Sequence, residues 1–172
     1  MRELELYIHI PFCIQKCKYC DFLSFPASGR ERQKYVESLC RKIRSYGVLA
    51  KAYHVVSIFL GGGTPSILDV EQTEAIFMAI YDTFTVDMKA EITTEMNPGT
   101  VDKDKLSTYR RLGINRLSIG LQSVNGEELR VLGRIHTFQD FLNVYEMVRN
   151  AGFGNINIDL MSAVPGQTFE SF

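Results

Sequence analysis

Five short runs rich in β-branched and apolar residues, each separated from the next by a longer amphipathic run, constrain this chain more than any other feature. The runs Glu5–Ile10, His54–Leu60, Ala90–Met96, Asn115–Leu121 and Asn155–Met161 read as strands. Between them, helices are predicted with recognisable ends. One lies near Glu31–Tyr46, with Val36, Leu39, Cys40 and Ile43 at helical spacing. A second opens at Asp69, with Gln72 three residues on as a capping box, and runs to about Phe84. Asp102 caps a third that ends at Gly113, and Asn125 with Glu128 repeats the capping pattern before Gly133. Thr137 opens the last, Phe138–Asn150, with Phe138, Phe141, Leu142, Tyr145 and Val148 on its apolar face and Gly152 closing it. Strand and helix in strict alternation imply parallel strands joined by helical crossovers, an α/β chain.

Parity within the strands narrows this further. Asn115–Gln122 splits into Leu117, Ile119, Leu121 against Arg116, Ser118, Gly120, Gln122. Glu91–Asn97 and Asn155–Met161 split in the same way, with Glu95 and Asp159 on the polar side. A parallel sheet covered by helices on both faces reads as nearly continuous apolar runs, and only His54–Leu60 does so. One greasy face and one polar face fit a barrel, or part of one, with a polar interior. The site then lies near the carboxyl ends of the strands.

Composition removes several functions. With 19 Lys+Arg against 20 Asp+Glu, the chain lacks the basic excess of a nucleic-acid binder. No apolar run approaches the ~20 residues of a membrane span, and the opening Met1-Arg2-Glu3-Leu4-Glu5 is unlike a signal peptide. The expected address is the cytoplasm, where thiols stay reduced, so the four cysteines are not read as disulfides.

Three of those cysteines form Cys13-x-x-x-Cys17-x-x-Cys20, directly after the first strand. Three thiolates in one turn repel one another unless a cation or cluster neutralises them, and thiolate favours zinc or iron–sulfur centres. A 4Fe–4S cluster on three cysteines keeps one iron free of protein ligands, open to an exogenous chelate. Zinc completed by His9, or three unrelated thiols, are the alternatives; structural zinc usually pairs two hooks, and no second hook is present. Cys40, on an apolar helix face, reads as core. His9, His54 and His136 read as packing or strand- and helix-entry residues.

The cysteine spacing resembles that of the radical S-adenosylmethionine (SAM) superfamily, and its context, Tyr7-Ile8-His9-Ile10-Pro11-Phe12-Cys13 through Tyr19-Cys20-Asp21-Phe22, resembles the HemW/HemN branch. The likeness continues through Gly61-Gly62-Gly63-Thr64-Pro65-Ser66, Glu95-Met96-Asn97-Pro98-Gly99-Thr100, Gly120-Leu121-Gln122-Ser123, Leu132-Gly133-Arg134-Ile135-His136, Asn157-Ile158-Asp159-Leu160-Met161 and Pro165-Gly166-Gln167-Thr168. It implies a partial (β/α) barrel with about five parallel strands and its last unit missing, residues 1–172 forming one core domain truncated at its carboxyl end. It also implies a 4Fe–4S cluster on Cys13, Cys17 and Cys20. SAM contacts would come from Tyr7, Tyr19, Gly62, Gly63, Thr64, Glu95, Gln122, Arg134 and Asp159. In that pattern the glycine segment and Glu95 hold the methionyl amino group, Arg134 its carboxylate, Gln122 and Asp159 the ribose hydroxyls, and Tyr19 lies against the adenine.

Two activities occur in the branch. One is a heme chaperone that binds heme and passes it to an acceptor protein. The other is an oxygen-independent coproporphyrinogen III oxidase, which decarboxylates propionate side chains through a 5′-deoxyadenosyl radical. The oxidase pattern has a fourth cysteine where this chain has Phe22, and a long segment before the first strand, so the chaperone is the expectation.

Overall fold

The computed structural model describes residues 1–172. Its elements run β1 (Arg2–Ile10), α1 (Gly29–Arg44), α2 (Gly47–Ala50), β2 (Tyr53–Gly62), a 3-10 turn (Pro65–Ile67), α3 (Val70–Thr83), β3 (Thr85–Met96), α4 (Lys103–Arg111), β4 (Arg116–Gln122), α5 (Gly126–Leu132), α6 (Phe138–Asn150) and β5 (Asn155–Leu160). The strands pair in parallel in the order β1-β2-β3-β4-β5. Crossovers of one hand between neighbours taken in sequence put the crossover helices α1, α3, α4 and α6 on the same face. A doubly wound sheet would reverse strand order partway across. The sheet is therefore an unclosed section of a (β/α) barrel, with β1 and β5 as its edges.

Apolar parities of the strands face the helices. Ile8, Ile10, Ile58, Leu60, Ile92, Met96, Leu117 and Ile119 join Val36, Cys40 and Ile43 of α1, Ile76, Phe77 and Ile80 of α3, Leu106 and Tyr109 of α4, and Phe141, Val144 and Val148 of α6 in one core. At the β5 edge the same parity is left half open: Ile158 is 39% and Leu160 55% exposed.

The capping signals act where the sequence puts them. Asp69 accepts from the Gln72 amide while Gln72 returns a bond to Asp69, and Asp102 caps α4. Thr137 and Asp140 form a reciprocal pair at the start of α6. At α5 only half the box exists: Asn125 accepts from the amides of Glu127 and Glu128, while the Glu128 carboxylate turns to Ser123, Gln167 and Ser171.

Several boundaries differ from expectation. Helix α1 opens at Gly29, ahead of Glu31, because Ser28 and Glu31 form a capping box, and it stops at Arg44 before the separate turn of α2. Strand β3 begins at Thr85, where Thr85 and Val86 pair with His54 and Val55 ahead of an irregularity. On α6, Val144 is buried and Leu142 is 40% exposed, since the face centred on Phe141, Val144 and Val148 meets the sheet.

Candidate functional site

The polar strand parities end in a cavity of about 450 Å³ at the carboxyl edge of the sheet, within the ~300–1,000 Å³ common for ligand pockets. It is lined by Cys13, Cys17, Cys20 and Tyr19 from the loop after β1, by Gly62 at the end of β2, and by Gly63 and Thr64 after it. Glu95 is the penultimate residue of β3, Gln122 ends β4, Asp159 lies on β5 and Arg134 follows α5. Every residue singled out from the sequence lines it except Tyr7. That tyrosine lies three positions upstream of the β1 end, with its ring stacked on Phe59 at 6.2 Å and 60% of its surface exposed.

The cysteine loop is held by backbone bonds at both ends. Cys13 N–H donates to Phe25 O (3.1 Å) and Phe25 N–H to Pro11 O (3.0 Å). Lys18 N–H donates to Leu132 O (3.0 Å), docking the loop on the end of α5. There Gly133 adopts a left-handed conformation (φ 74°), and a methyl group on it would stand 3.3 Å from the Lys18 backbone nitrogen. The turn, closed by Arg134 N–H to Leu129 O (2.8 Å), sends the Arg134 side chain back over the strands.

Arg134 Nη2 donates to Asn97 Oδ1 (2.6 Å) and Gly120 O (2.7 Å), and Nη1 donates to Cys17 Sγ (3.5 Å). Its Nε is buried with no partner, an unsatisfied donor of the kind that pairs with an anion. Glu95 Oε2 accepts from Gly62 N–H at 3.0 Å, and burial raises its carboxyl above the usual range against that bond. A cation beside it would favour the carboxylate against that burial. Asp159 accepts from Asn157 Nδ2 (2.7 Å) and Ser118 Oγ (3.1 Å), which fix both oxygens and leave lone pairs for further donors. Burial pushes the Tyr19 hydroxyl up to about 12 against the pull of Arg134, so it stays a neutral phenol.

No three His, Cys, Asp or Glu side chains stand close enough to hold a single metal ion. His9 is turned away from the thiols: its Nε2 donates to Leu23 O (3.0 Å), leaving Nδ1 to accept from the Tyr7 hydroxyl (3.0 Å). The zinc-with-His9 alternative therefore lacks its fourth ligand. A polynuclear cluster takes thiolates farther apart than one ion does, and the three cysteines around one cavity suit it. The bare backbone alongside completes the cradle, since a methyl on Gly63 would lie 3.0 Å from Cys13 Sγ and one on Gly61 3.1 Å from Glu95 Oε2.

Sequence reading missed Asn97, which bonds both Thr64 and Arg134, and Ser118, which orients Asp159. Ser118 stands on the polar parity and was within reach of that argument. Asn97 stands on the polar parity of Glu91–Asn97 as well, one residue past the end of β3, but nothing local shows what it bonds. His136 is buried and donates through Nε2 to Leu121 O (3.2 Å). Burial, helped by Arg134, pulls it down to about 4 from an ordinary 6.5. A lowered folded-state value means that the unfolded chain takes the proton first as pH falls from 6.5 toward 4, so stability drops across that window. Melting temperatures should fall through it more steeply for the unsubstituted chain than for His136→Gln. Parallel curves would rule His136 out as the cause.

Residues 7–172 match the family model described as the radical SAM superfamily. Among curated proteins, the chain is 40% identical over 168 residues to the heme chaperone HemW of Escherichia coli (strain K12), covering 97% of this chain and 44% of that protein. It is 37% identical over 164 residues to HemW of Lactococcus lactis, covering 95% and 42%. Among solved structures, coproporphyrinogen III oxidase (HemN) from Escherichia coli superposes with a TM-score of 0.93 at 33% identity, covering 99% of this chain and 40% of that one. The chain thus spans less than half the length of these relatives.

Proposed function

The chain belongs to the radical SAM superfamily, in its HemW/HemN branch, and on that premise we propose that it holds a 4Fe–4S cluster on Cys13, Cys17 and Cys20, binds SAM beside it, and serves as a heme chaperone. The observation that carries this reading is the convergence of three thiols, a bare glycine backbone, two carboxylates and an arginine with a free buried donor on one cavity. Bound there, the cluster supplies a low-potential electron and SAM a reducible sulfonium.

The protein's own groups bind and orient. Glu95, half-satisfied by Gly62 N–H, receives the methionyl ammonium beside Gly62, Gly63 and Thr64. Arg134, anchored through Nη2, offers Nε to the methionyl carboxylate. Gln122 and Asp159 take the ribose hydroxyls, and Tyr19 lies against the adenine. Tyr7, outside the cavity lining, would act indirectly, through its bond to His9 and its stacking on Phe59.

Heme or a porphyrin is the cargo and a heme-binding protein the acceptor. The names of the curated relatives support that reading, as does Phe22, which lines the cavity where the oxidase pattern has a cysteine. No helix is long and apolar enough to cross a membrane, and four free thiols suit the reducing cytoplasm we assign. The close superposition on HemN favours the oxidase as the second reading.

Anaerobic iron–sulfide reconstitution followed by EPR of the reduced protein, with and without SAM, tests the cofactors. The expected result is a 4Fe–4S signal that shifts on adding SAM. A chain that takes zinc and no cluster would overturn the reading. Heme titration with a Soret shift and no coproporphyrinogen turnover is expected next; turnover would replace the chaperone with the oxidase.

A further inference from the structure

Two of the three cavity cysteines are linked through a closed run of side chains. The Thr64 hydroxyl donates to Cys13 Sγ (3.5 Å), and Asn97 Nδ2 donates to Thr64 Oγ1 (2.9 Å). Arg134 Nη2 donates to Asn97 Oδ1 (2.6 Å), and Arg134 Nη1 donates to Cys17 Sγ (3.5 Å). The order of donors is forced. Arginine can only donate, so Asn97 must give it the amide oxygen and turn the amide nitrogen to Thr64. With that N–H on its oxygen, Thr64 has one proton to place, and Cys13 Sγ is where it goes.

The frame that holds Asn97 is rigid. Its carbonyl accepts from Thr100 Oγ1 (2.6 Å) and Thr100 N–H (3.2 Å). Thr100 Oγ1 also bonds Ser66 Oγ (2.5 Å), and Lys105 Nζ donates to Ser66 O and Thr100 O, both at 2.9 Å. The loops after β2 and β3 are thereby stapled together, and Thr64 is 2% exposed.

We propose that Asn97 is a positioning residue that aims two donors, the Thr64 hydroxyl and the Arg134 guanidinium, at two cluster thiolates and so raises the cluster's reduction potential. The inference rests on the reading that these cysteines hold the cluster. Hydrogen bonds given to cluster sulfur stabilise the more negative, reduced state, and the groups that orient such donors tune a metal centre without touching it.

The test is an EPR-monitored redox titration of the reconstituted full chain, without SAM, for the unsubstituted protein, Thr64→Val, Asn97→Asp and the double variant. Thr64→Val keeps the shape and removes the proton. It should lower the ratio of reduced to oxidised cluster at fixed poise by roughly tenfold, a downward shift of ~59 mV for one electron. Asn97→Asp keeps the shape but cannot donate, so the Thr64 hydroxyl turns to it and away from Cys13. Its shift should be at least as large alone, and smaller when Thr64 is already valine. Thr64→Ser, which restores the hydroxyl, should return the potential to that of the unsubstituted chain, a rescue that a purely structural role would not produce.

An assembled cluster whose potential ignores Thr64→Val, or on which the two substitutions simply add, would overturn the role of Asn97 alone. An unsubstituted chain that assembles no cluster would overturn the cluster reading and this inference with it.

Discussion

Replacing Cys17 with alanine should drop bound iron after reconstitution to background, whereas replacing Cys40 should leave it at the level of the unsubstituted chain. The two thiols differ in everything except their element. Cys17 stands in the loop after β1, lines the cavity and receives the Arg134 guanidinium. Without it, only Cys13 and Cys20 remain on the cluster, and Nη1 loses its partner as well. Cys40 lies 6% exposed on α1 against α3, where its sulfur donates weakly to Ala75 O at 3.4 Å and burial pushes its thiol up. Losing that sulfur leaves a small void worth about 1 kcal/mol, which lowers the melting temperature by about 2–4 °C at this chain length. Iron and sulfide assayed per chain, beside a thermal melt, separate the two cases. Iron lost from both variants would make Cys40 part of the site; iron kept by Cys17→Ala would remove Cys17 from the ligand set.

What the sequence disclosed follows the range over which its signals act. Capping residues act within one turn, so Asp69, Asp102 and Thr137 were legible from their spacing alone. Strand parity acts within one element and identified the face that carries Glu95, Gln122 and Asp159. It also separated a barrel section from a doubly wound sheet, since helices on one face leave the other face polar. Asn97 was hidden because its partners, Thr64 and Arg134, arrive from loops 33 and 37 residues away. The choice between Leu142 and Val144 on α6 failed for a related reason: both are apolar at helical spacing, and only the direction from which β4 and β5 approach decides which is covered. Gln122 adds a last case, for its left-handed backbone (φ 71°) is rare outside glycine and arises where the β4–β5 register slips between Gly120 and Gln122. No property of a glutamine announces that.

Gly63→Ala should destabilise the fold by on the order of 3 kcal/mol and strip most of the iron, while Gly126→Ala, the same change by one methyl, should be neutral or slightly stabilising. A methyl on Gly63 would stand 2.6 Å from Phe12 O and 3.0 Å from Cys13 Sγ. Phe12 O is backbone, already accepts from Thr64 N–H at 2.7 Å, and cannot swing aside as a side chain could. Two responses exist, and both damage the site. Either the β2 loop lifts and breaks the Gly63 N–H to Ile10 O bond (2.8 Å), or the start of the cysteine loop is pushed outward and carries Cys13 with it. At Gly126, the first residue of α5, a methyl meets nothing within 4 Å, and alanine gains up to ~1 kcal/mol of helix propensity. Thermal melts and iron content of the pair therefore isolate close backbone approach from the loss of a glycine as such. Equal melting of Gly63→Ala and the unsubstituted chain, with iron retained, would mean that the cysteine loop yields freely. The thiols would then owe their positions to the cluster they bind, and not to the sheet beneath them.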